Sequence, residues 1–420
     1  MREFRVAVPQ SELDELQQRL AHTRWPAPET VGGWVQGVPL EYAQELCEHW
    51  RTRYDWRRCE AELNSWPQFR TGLDGGADDT VDVHFIHARS PHKNALPLIL
   101  SHGWPGSVIE YLDVLDELVS PPDPADAFHV VLPSLPGYGF SGKPRLAGWG
   151  VERIAVAWAQ LMDRLGYERY GAQGGDWGSV ITSALGTAAP ENVVGIHLTM
   201  PLALRPEDEG PLTKAEKKNL AARKFFVRVG TGYSAQQATR PQTLGYGLAD
   251  SPMGQCCWIV EKFWDWTDSA GPPENVISRN RLLDNVMLYW LNNTGASSAR
   301  LYWESFLKRR MDPVEVPTGV TLFPRELWKL PRAWIEQRYT DLRHWSEPET
   351  GGHFASLEQP DVFLDEVRAF FRPLTGQRKT RTEAVKPCRW LRPPTGPISP
   401  AANNPATPSA PSASRTICTS

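Results

Sequence analysis

The 420-residue sequence lacks long apolar runs. No stretch approaches the roughly 18 consecutive apolar residues that a membrane-spanning helix needs. The first residues, Met1-Arg2-Glu3-Phe4, do not have the apolar region of a secretion signal. We therefore expect a soluble protein without a membrane span, located in the cytoplasm.

Cysteine is scarce, and its arrangement excludes the usual cysteine-based sites. The chain has six cysteines, of which Cys256 and Cys257 are adjacent, and their spacing fits no zinc knuckle. Adjacent cysteines suit neither a disulfide framework nor a redox pair. The sequence therefore predicts reduced thiols, as in a cytosolic protein, and no metal site.

Positive charge is also in short supply outside one segment. The net charge is −4, but residues 376–420 hold seven Lys and Arg against one Glu, so residues 1–375 sum to −10. That body has no basic face with interleaved aromatic residues, and nucleic acid is therefore not an expected partner. The segment 376–420 is rich in Pro, Ser and Thr, a composition that predicts a disordered tail.

From residue 76 to residue 375, strand-like and helix-like segments alternate, with one interruption. Short apolar strands are followed by helices, a rhythm that indicates a mostly parallel sheet covered on both faces. The rhythm stops in a stretch where helical segments dominate, and then resumes. We therefore predict an α/β fold with five parts: a helical and irregular N-terminal extension (1–75), the first part of the core (76–200), a helical lid insertion (201–310), the second part of the core (311–375) and the tail (376–420).

One pentapeptide, Gly174-Gly175-Asp176-Trp177-Gly178, joins a predicted strand to a predicted helix. Small residues flank one reactive side chain, as a sharp strand-to-helix turn requires, and such a turn holds its central side chain above the sheet. The familiar version carries serine, whereas here the apex is Asp176, whose carboxylate can attack carbon and form an ester. A helix-capping aspartate would give the same pattern without chemistry. The pentapeptide alone leaves both interpretations open.

Two further candidates follow predicted strands, where open α/β sheets place their active sites. The order Asp176, Glu326, His353 is the order of nucleophile, acid and histidine in an α/β-hydrolase triad. His353 follows a Gly-Gly pair, which favours a mobile, accessible ring. Glu326 comes directly after an apolar strand and is favoured for that reason over Glu336 and Glu347, which remain weaker alternatives.

Four ordered motifs carry a family resemblance: His102-Gly103-Trp104-Pro105-Gly106-Ser107, Gly174-Gly175-Asp176-Trp177-Gly178, Pro317-Thr318-Gly319 leading to Phe323-Pro324-Arg325-Glu326, and Gly351-Gly352-His353-Phe354-Ala355. Together they resemble the microsomal-type epoxide hydrolases of the α/β-hydrolase superfamily, from about residue 4 to residue 374. The N-terminal helices are similar to that branch's N-terminal region, which wraps the core and the lid. The resemblance implies an α/β-hydrolase fold and the conversion of an epoxide and water into a vicinal diol, without a metal or an organic cofactor.

The resemblance also implies roles for individual residues. It implies Asp176 as the nucleophile that forms a covalent ester, Glu326 as the acid and His353 as the base. The backbone N–H groups of Trp104 and Trp177 would stabilise the oxyanion. By the same resemblance, we expect the peptide bond between Trp104 and the following proline to be cis.

Two tyrosines are implied as proton donors. Tyr233 matches the first position in the lid, and Tyr302 matches the second. Ring opening generates an alkoxide, which is far more basic than a phenolate, so a tyrosine with a pKa of roughly 10 is a competent acid at neutral pH. Tyr289 lies on a nearby predicted helix and remains an alternative to Tyr302.

Two other functions remain open at this point. A haloalkane dehalogenase shares the Asp nucleophile and the His base, and Trp104 and Trp177 could bind its leaving halide. A non-catalytic binding protein on the same fold is the other alternative. The expected partner is a small epoxide, and the sequence leaves open whether the chain forms a homodimer.

Overall fold

A single sheet organises the protein. The computed structural model describes residues 1–207, 210–306, 308 and 310–375, so the predicted tail at 376–420 lies outside the described residues. In the described part of the chain the sheet has nine strands. They are β1 (Arg2–Phe4), β2 (Gln68–Leu73), β3 (Val81–Ala88), β4 (Leu96–Ser101), β5 (Phe128–Pro133), β6 (Tyr170–Gly174), β7 (Val193–Leu198), β8 (Thr318–Thr321) and β9 (Leu342–Ser346).

Helices occupy most of the remaining chain. They are α1 (Gln10–Ala21), α2 (Leu40–Thr52), α3 (Trp56–Asn64), α4 (Leu112–Val119), α5 (Val151–Arg164), α6 (Asp176–Ala188), α7 (Lys214–Val229), α8 (Gly232–Thr239), α9 (Pro241–Asp250), α10 (Pro252–Trp266), α11 (Arg279–Leu291), α12 (Gly295–Ser305), α13 (Arg332–Arg338), α14 (Ala355–Glu358) and α15 (Pro360–Phe371). Short 3-10 segments cover Gly33–Gln36, Val108–Tyr111, Pro124–Asp126, Pro273–Asn275 and Arg372–Leu374. None of the described helices is both long and apolar enough to cross a membrane.

The sheet is mostly parallel, as predicted. Its strand order is β1-β2-β3-β5-β4-β6-β7-β8-β9. The pairs from β5 to β9 are parallel, whereas β1, β2 and β3 pair antiparallel at one side. In the register, Ser101 at the end of β4 lies opposite Gly174 at the end of β6. The loops that follow these two strands therefore leave the sheet side by side.

The N-terminal region departs from the prediction of helices and irregular segments alone. It also contains β1 and β2, which extend the sheet. The three-residue strand β1 is too short to show alternation, and only its pairing with β2 makes it a strand. The sequence of β2 lacks the apolar alternation that predicts a strand, because two of its buried residues, Gln68 and Thr71, are polar.

Six helices, α7 to α12, lie between β7 and β8 and form a helical insertion. N-terminal side chains contact this insertion directly. The Tyr54 hydroxyl donates to Asp284 Oδ1 at 2.8 Å, and the Arg58 guanidinium lies 2.5 Å from Asp284 Oδ2. Asp284 lies on α11 and is fully buried, so the extension supplies the partners that a buried carboxylate needs.

Candidate active site

The loop after β6 has the geometry of a strained elbow. Asp176 adopts a φ of 49°, a left-handed conformation that is costly for a residue with a side chain. Glycines around it are required for close approach. A Cβ on Gly178 would lie 1.8 Å from the Ser101 carbonyl oxygen, and one on Gly103 would lie 2.2 Å from Asp176 Oδ1. The elbow is therefore packed directly against the end of β4.

The loop after β4 contacts the Asp176 carboxylate. The backbone N–H of Trp104 donates to Asp176 Oδ1 at 2.8 Å. The peptide bond between Trp104 and Pro105 is cis, as expected from the resemblance. Trp177 follows Asp176 in the first turn of α6. The two expected oxyanion donors thus belong to the loop after β4 and to the first turn of α6.

His102 has a structural place in the same loop. Its ring is fully buried. One ring nitrogen, Nδ1, lies 2.9 Å from the Gly103 carbonyl oxygen, and the other, Nε2, accepts the N–H of Leu135 at 3.2 Å. Burial lowers the pKa of His102 to about 4. The ring is therefore neutral and joins this loop to the one after β5.

The structure brings Asp176, Glu326 and His353 together. Nε2 of His353 lies 3.4 Å from Asp176 Oδ2, and Nδ1 lies 2.9 Å and 3.1 Å from the two carboxylate oxygens of Glu326. Glu326 and His353 are both buried. Each carboxylate faces a different ring nitrogen, which is the arrangement that orients a histidine base.

Charge dominates the environment of the His353 ring. Burial by itself lowers the pKa of this histidine, because a charged ring loses its hydration. The carboxylates of Glu326 and Asp176 outweigh that cost and raise the pKa of His353 well above its usual value. With both carboxylates ionised, the ring holds a proton and forms ion pairs on both sides.

Aromatic rings enclose the space next to Asp176. Tyr233 is stacked on Trp104, with ring centroids 5.1 Å apart, and Tyr302 meets Trp177 edge-on at 4.9 Å. The two tyrosine rings are 5.9 Å apart. Burial, followed by the nearby Tyr233 and Asp176, raises the pKa of Tyr302 well above its usual value. Trp266 contacts both Tyr233 and His353, at 5.3 Å and 5.1 Å.

Tyr289 is differently engaged. Its hydroxyl donates to the Gly106 carbonyl oxygen at 2.7 Å, and its side chain is buried in α11. Nearby, the Asn285 amide donates to the Pro105 carbonyl oxygen at 2.7 Å. These two bonds fasten α11 to the Trp104 loop.

Comparisons with known proteins point to one family. Residues 1–111 match the family model described as "Epoxide hydrolase N terminus", and residues 97–248 match "alpha/beta hydrolase fold". Epoxide hydrolase 1 of Sus scrofa is 33% identical over 412 residues, which cover 90% of each chain. A Stigmatella aurantiaca protein provisionally named an epoxide hydrolase is 53% identical over 381 residues, 88% of this chain and 84% of that protein. The chain belongs to the epoxide hydrolase family.

Solved structures agree with this assignment. The juvenile hormone epoxide hydrolase of the silkworm Bombyx mori has a TM-score of 0.81 at 31% identity, over 89% of this chain and 94% of that one. The Aspergillus niger epoxide hydrolase has a TM-score of 0.80 at 33% identity, over 89% and 96%. The enzyme therefore has the α/β-hydrolase fold that the motifs predicted, and the family favours epoxide hydrolysis over halide release or mere binding.

The enzyme's site also includes residues that the sequence motifs did not indicate. Glu110 lies against Gly106, and burial raises the pKa of its carboxyl to about 8 despite the nearby His353. The Lys262 ammonium lies 4.7 Å from the centre of the Tyr233 ring. Glu110 stands four residues after Gly106 and three residues beyond the end of the motif 102–107, so its position offered a signal. Lys262 offered none, because only helix packing brings α10 to Tyr233.

Glu358 supports the histidine loop from behind. Its carboxylate accepts the N–H of Asp268 at 2.7 Å and that of Phe354 at 3.0 Å. Burial raises the pKa of Glu358 to about 7. The backbone N–H of His353 itself donates to the Trp266 carbonyl oxygen at 2.9 Å. The end of α10 and the start of the following loop thus set the height of the histidine above the sheet.

Proposed function

We propose that the enzyme opens an epoxide through a covalent ester on Asp176 and then hydrolyses that ester to release a vicinal diol. The observation that carries this proposal is the position of one carboxylate. Asp176 lies between the Trp104 N–H and His353 Nε2, at 2.8 Å and 3.4 Å, at the floor of an aromatic enclosure. A nucleophile in this place has an oxyanion donor on one side and a base on the other.

In the first step, an Asp176 oxygen attacks one ring carbon of the epoxide. The bond between that carbon and the ring oxygen breaks, and the oxygen takes a proton from Tyr233 or Tyr302. The two tyrosine rings lie 5.9 Å apart, and the Tyr302 ring contacts that of Trp177, the residue next to Asp176. We infer that Tyr302 rather than Tyr289 is the second donor, because the Tyr289 hydroxyl is already bonded to Gly106. The products of this step are a glycol monoester of Asp176 and a tyrosine phenolate. The phenolate takes the proton that His353 releases once the charge of Asp176 is gone.

In the second step, water attacks the carbonyl carbon of the ester. His353 removes a proton from that water, while Glu326 holds the ring in position and stabilises its positive charge. The oxyanion forms where the Trp104 N–H already donates, and we assign a second donor to the N–H of Trp177. Collapse of the intermediate breaks the bond to the glycol oxygen, which takes the proton held by His353, and the diol leaves. The Asp176 carboxyl then gives its proton to the His353 ring, and the carboxylate is restored.

The proposed substrate is an apolar epoxide that enters beneath a lid. Trp104, Trp177 and Trp266, together with the two tyrosines, supply apolar walls and leave few polar groups for binding. We propose the helical insertion α7 to α12 as this lid and the N-terminal extension as the part that holds it, with the domain limits expected from the sequence.

A single-turnover reaction in water enriched in heavy oxygen tests the covalent step. Because water attacks the ester carbonyl, one heavy oxygen should appear in the Asp176 carboxylate, detected by mass spectrometry of the peptide, and the first diol should contain none. Heavy oxygen in the first diol would show direct attack of water on the epoxide and would contradict the proposal.

Two variants sharpen this experiment. His353→Gln removes the base and should let the ester accumulate, so the intact protein gains the mass of one epoxide. Asp176→Ala removes the nucleophile and should show neither the added mass nor diol formation. Diol formation by Asp176→Ala at the unaltered rate would place the chemistry elsewhere.

A further inference from the structure

Helix α7 presents an apolar strip to solvent. None of its residues is buried. Phe225 and Val229, four residues apart and hence on one face of the helix, are each 59% exposed. Ala221 and Ala222 lie beside them and are also exposed. Soluble proteins scatter single exposed apolar residues, but they do not ordinarily place several along one strip of one helix.

Positive charge surrounds this strip. The helix has six basic residues and one acidic residue in 16 positions. The acidic one, Glu216, is bound to the backbone and hydroxyl of Thr213 in a capping box at 2.8 Å. Among the described residues, the side chains that flank the strip have no ion-pair partner; they are Lys214, Lys217, Lys218, Lys224 and Arg228. These basic side chains are clustered on one helix, although residues 1–375 as a whole have a net charge of −10.

The opposite side of α7 packs against the segment that follows Glu326. The Phe226 ring meets Trp328 edge-on at 6.4 Å, and the Arg223 guanidinium lies 4.8 Å from the centre of the same indole ring. Trp328 is two residues beyond Glu326. At its C-terminal end, α7 stops at Val229, four residues before Tyr233 on α8. The helix therefore lies on the surface directly outside two of the site's segments.

We propose that α7 binds the surface of an anionic lipid bilayer. Its aromatic and aliphatic side chains would enter the boundary between headgroups and acyl chains, and its flanking lysines and Arg228 would extend to the lipid phosphates. With 16 residues and six basic side chains, the helix lies in the plane of the interface and does not cross the bilayer. Each basic side chain near such a surface adds to the attraction.

Charge favours a bilayer over a second copy of the chain on this face. A symmetric dimer through α7 would bring two helices of net charge +5 against each other, and like charges across an interface oppose association. An anionic bilayer supplies the complementary charge and an apolar layer at the depth that Phe225 reaches. An apolar epoxide partitions into lipid, so a site next to the bilayer would lie close to its substrate. This part of the argument rests on the proposed function.

Vesicle sedimentation of the full-length enzyme tests the proposal. The protein should sediment with vesicles of phosphatidylglycerol and phosphatidylcholine at low salt, and much less with phosphatidylcholine alone or at high salt. Lys217→Glu/Lys224→Glu should lower the partition coefficient roughly tenfold or more. Phe225→Ser should lower it several-fold, because an apolar anchor is lost.

A second double variant, with two charge-reversing substitutions outside α7, controls for the change in net charge. Arg53 and Lys93 are exposed residues outside α7, and Arg53→Glu/Lys93→Glu changes the net charge by the same amount. This control should sediment like the unaltered protein. Equal loss in both double variants, or retained binding in Lys217→Glu/Lys224→Glu, would overturn the assignment to α7.

Folding and self-association are measured on the same samples. All variants should keep the circular dichroism of the unaltered protein and its turnover of a water-soluble epoxide, since none of these residues contacts the site. The proposal would be overturned if the unaltered protein formed a dimer and did not bind vesicles, and if Phe225→Ser abolished that dimer. The strip on α7 would then bind a second copy of the chain and not a bilayer. Failure of the covalent mechanism would leave the sedimentation result unaffected.

Discussion

At the scale of single residues, the protonation of His353 couples the two steps of the proposed reaction. The carboxylates of Glu326 and Asp176 keep the pKa of this ring well above its usual value, against the effect of burial. When Asp176 becomes an ester, one of these two negative charges disappears. The pKa of the ring then falls, and the ring becomes a base in the step that needs one.

This coupling predicts the effect of removing the nucleophile's charge. Asp176→Ala should lower the pKa of His353, because only Glu326 then opposes the cost of burial. The measurement is a titration of the histidine ring signals by nuclear magnetic resonance. The buried His197, whose pKa is depressed to about 3 by burial and then by His344, serves as the internal control. An unchanged pKa of His353 would show that Asp176 does not contribute to its protonation.

The tyrosines give a second prediction at this scale. Tyr302→Phe should slow epoxide opening roughly a hundredfold, because a proton donor in the transition state is lost. Tyr289→Phe should instead lower the free energy of unfolding by about 1–3 kcal/mol, since a buried carbonyl oxygen at Gly106 loses its partner. Pre-steady-state rates and denaturant unfolding measure the two effects.

Tyr233→Phe provides the comparison for both variants. It should resemble Tyr302→Phe in slowing ring opening, since the two phenols share the enclosure. If Tyr289→Phe slowed the chemical step as strongly as Tyr302→Phe, the assignment of the second donor would be wrong.

At the scale of elements, the loops of the candidate site are positioned by parts of the chain far away in sequence. The loop 351–354 is the clearest case. The N–H of Gly351 donates to Asp268 Oδ2 at 3.0 Å, and the N–H of His353 donates to the Trp266 carbonyl oxygen. The height of the base therefore depends on the end of α10, an element of the insertion, as well as on the sheet.

Removing one of these contacts should slow the second step selectively. Asp268→Ala should reduce ester hydrolysis roughly tenfold, while ring opening, which needs Asp176 and the tyrosines, should be nearly unchanged. The free energy of unfolding should fall by about 1–2 kcal/mol as Gly351 loses its acceptor. Single-turnover kinetics separate the two steps, and Asp268→Asn, which keeps an oxygen acceptor, should restore most of the rate. Equal slowing of both steps would indicate a general loss of structure.

At the scale of the whole molecule, buried titratable groups set the pH range of stability. Burial depresses the pKa of four histidines to about 3 or 4; they are His84, His87, His102 and His197. Below their unfolded pKa of about 6.5, the unfolded state binds more protons than the folded state, so stability falls with falling pH. Burial has the opposite effect on the carboxyls of Glu110 and Glu358, whose pKa values rise to about 8 and about 7.

Stability should therefore be greatest near pH 6.5. Between about pH 4.5 and 8, the folded state retains protons on Glu110 and Glu358 that the unfolded state releases, so stability is lost as pH rises; His353 adds to the same trend above pH 6.5. Below pH 6.5 the four histidines outweigh the two carboxyls. Thermal unfolding from pH 4 to 9 measures both limbs.

Glu110→Gln identifies the origin of the alkaline limb. Glutamine cannot lose a proton, so the variant should show a shallower decrease in Tm between pH 6.5 and 9 than the unaltered protein. An alkaline limb of unchanged slope would assign the loss to other groups.

The amino-acid sequence by itself determined the fold class, and it predicted the catalytic trio of Asp176, Glu326 and His353. Apolar runs of strand length alternate with amphipathic helices, and this local pattern leaves few alternatives to a parallel sheet. Asp176 stands in a glycine-rich turn. Such a turn can be recognised in the sequence because the residues that permit its backbone conformation are neighbours along the chain. Family membership, tested by the comparisons, agrees with these motifs.

Only the tertiary structure decided what depends on contacts between distant segments. The strands β1 and β2 exist because they pair with each other and with β3, although their sequences are short or polar. Tyr302 contacts the Trp104 ring, whereas the Tyr289 hydroxyl is bonded to the Gly106 carbonyl oxygen. This difference depends on where the helices of the insertion cross the Trp104 loop. The exposed strip on α7 could not be read from periodicity, because an apolar face predicts burial, and only packing shows which face the protein leaves uncovered.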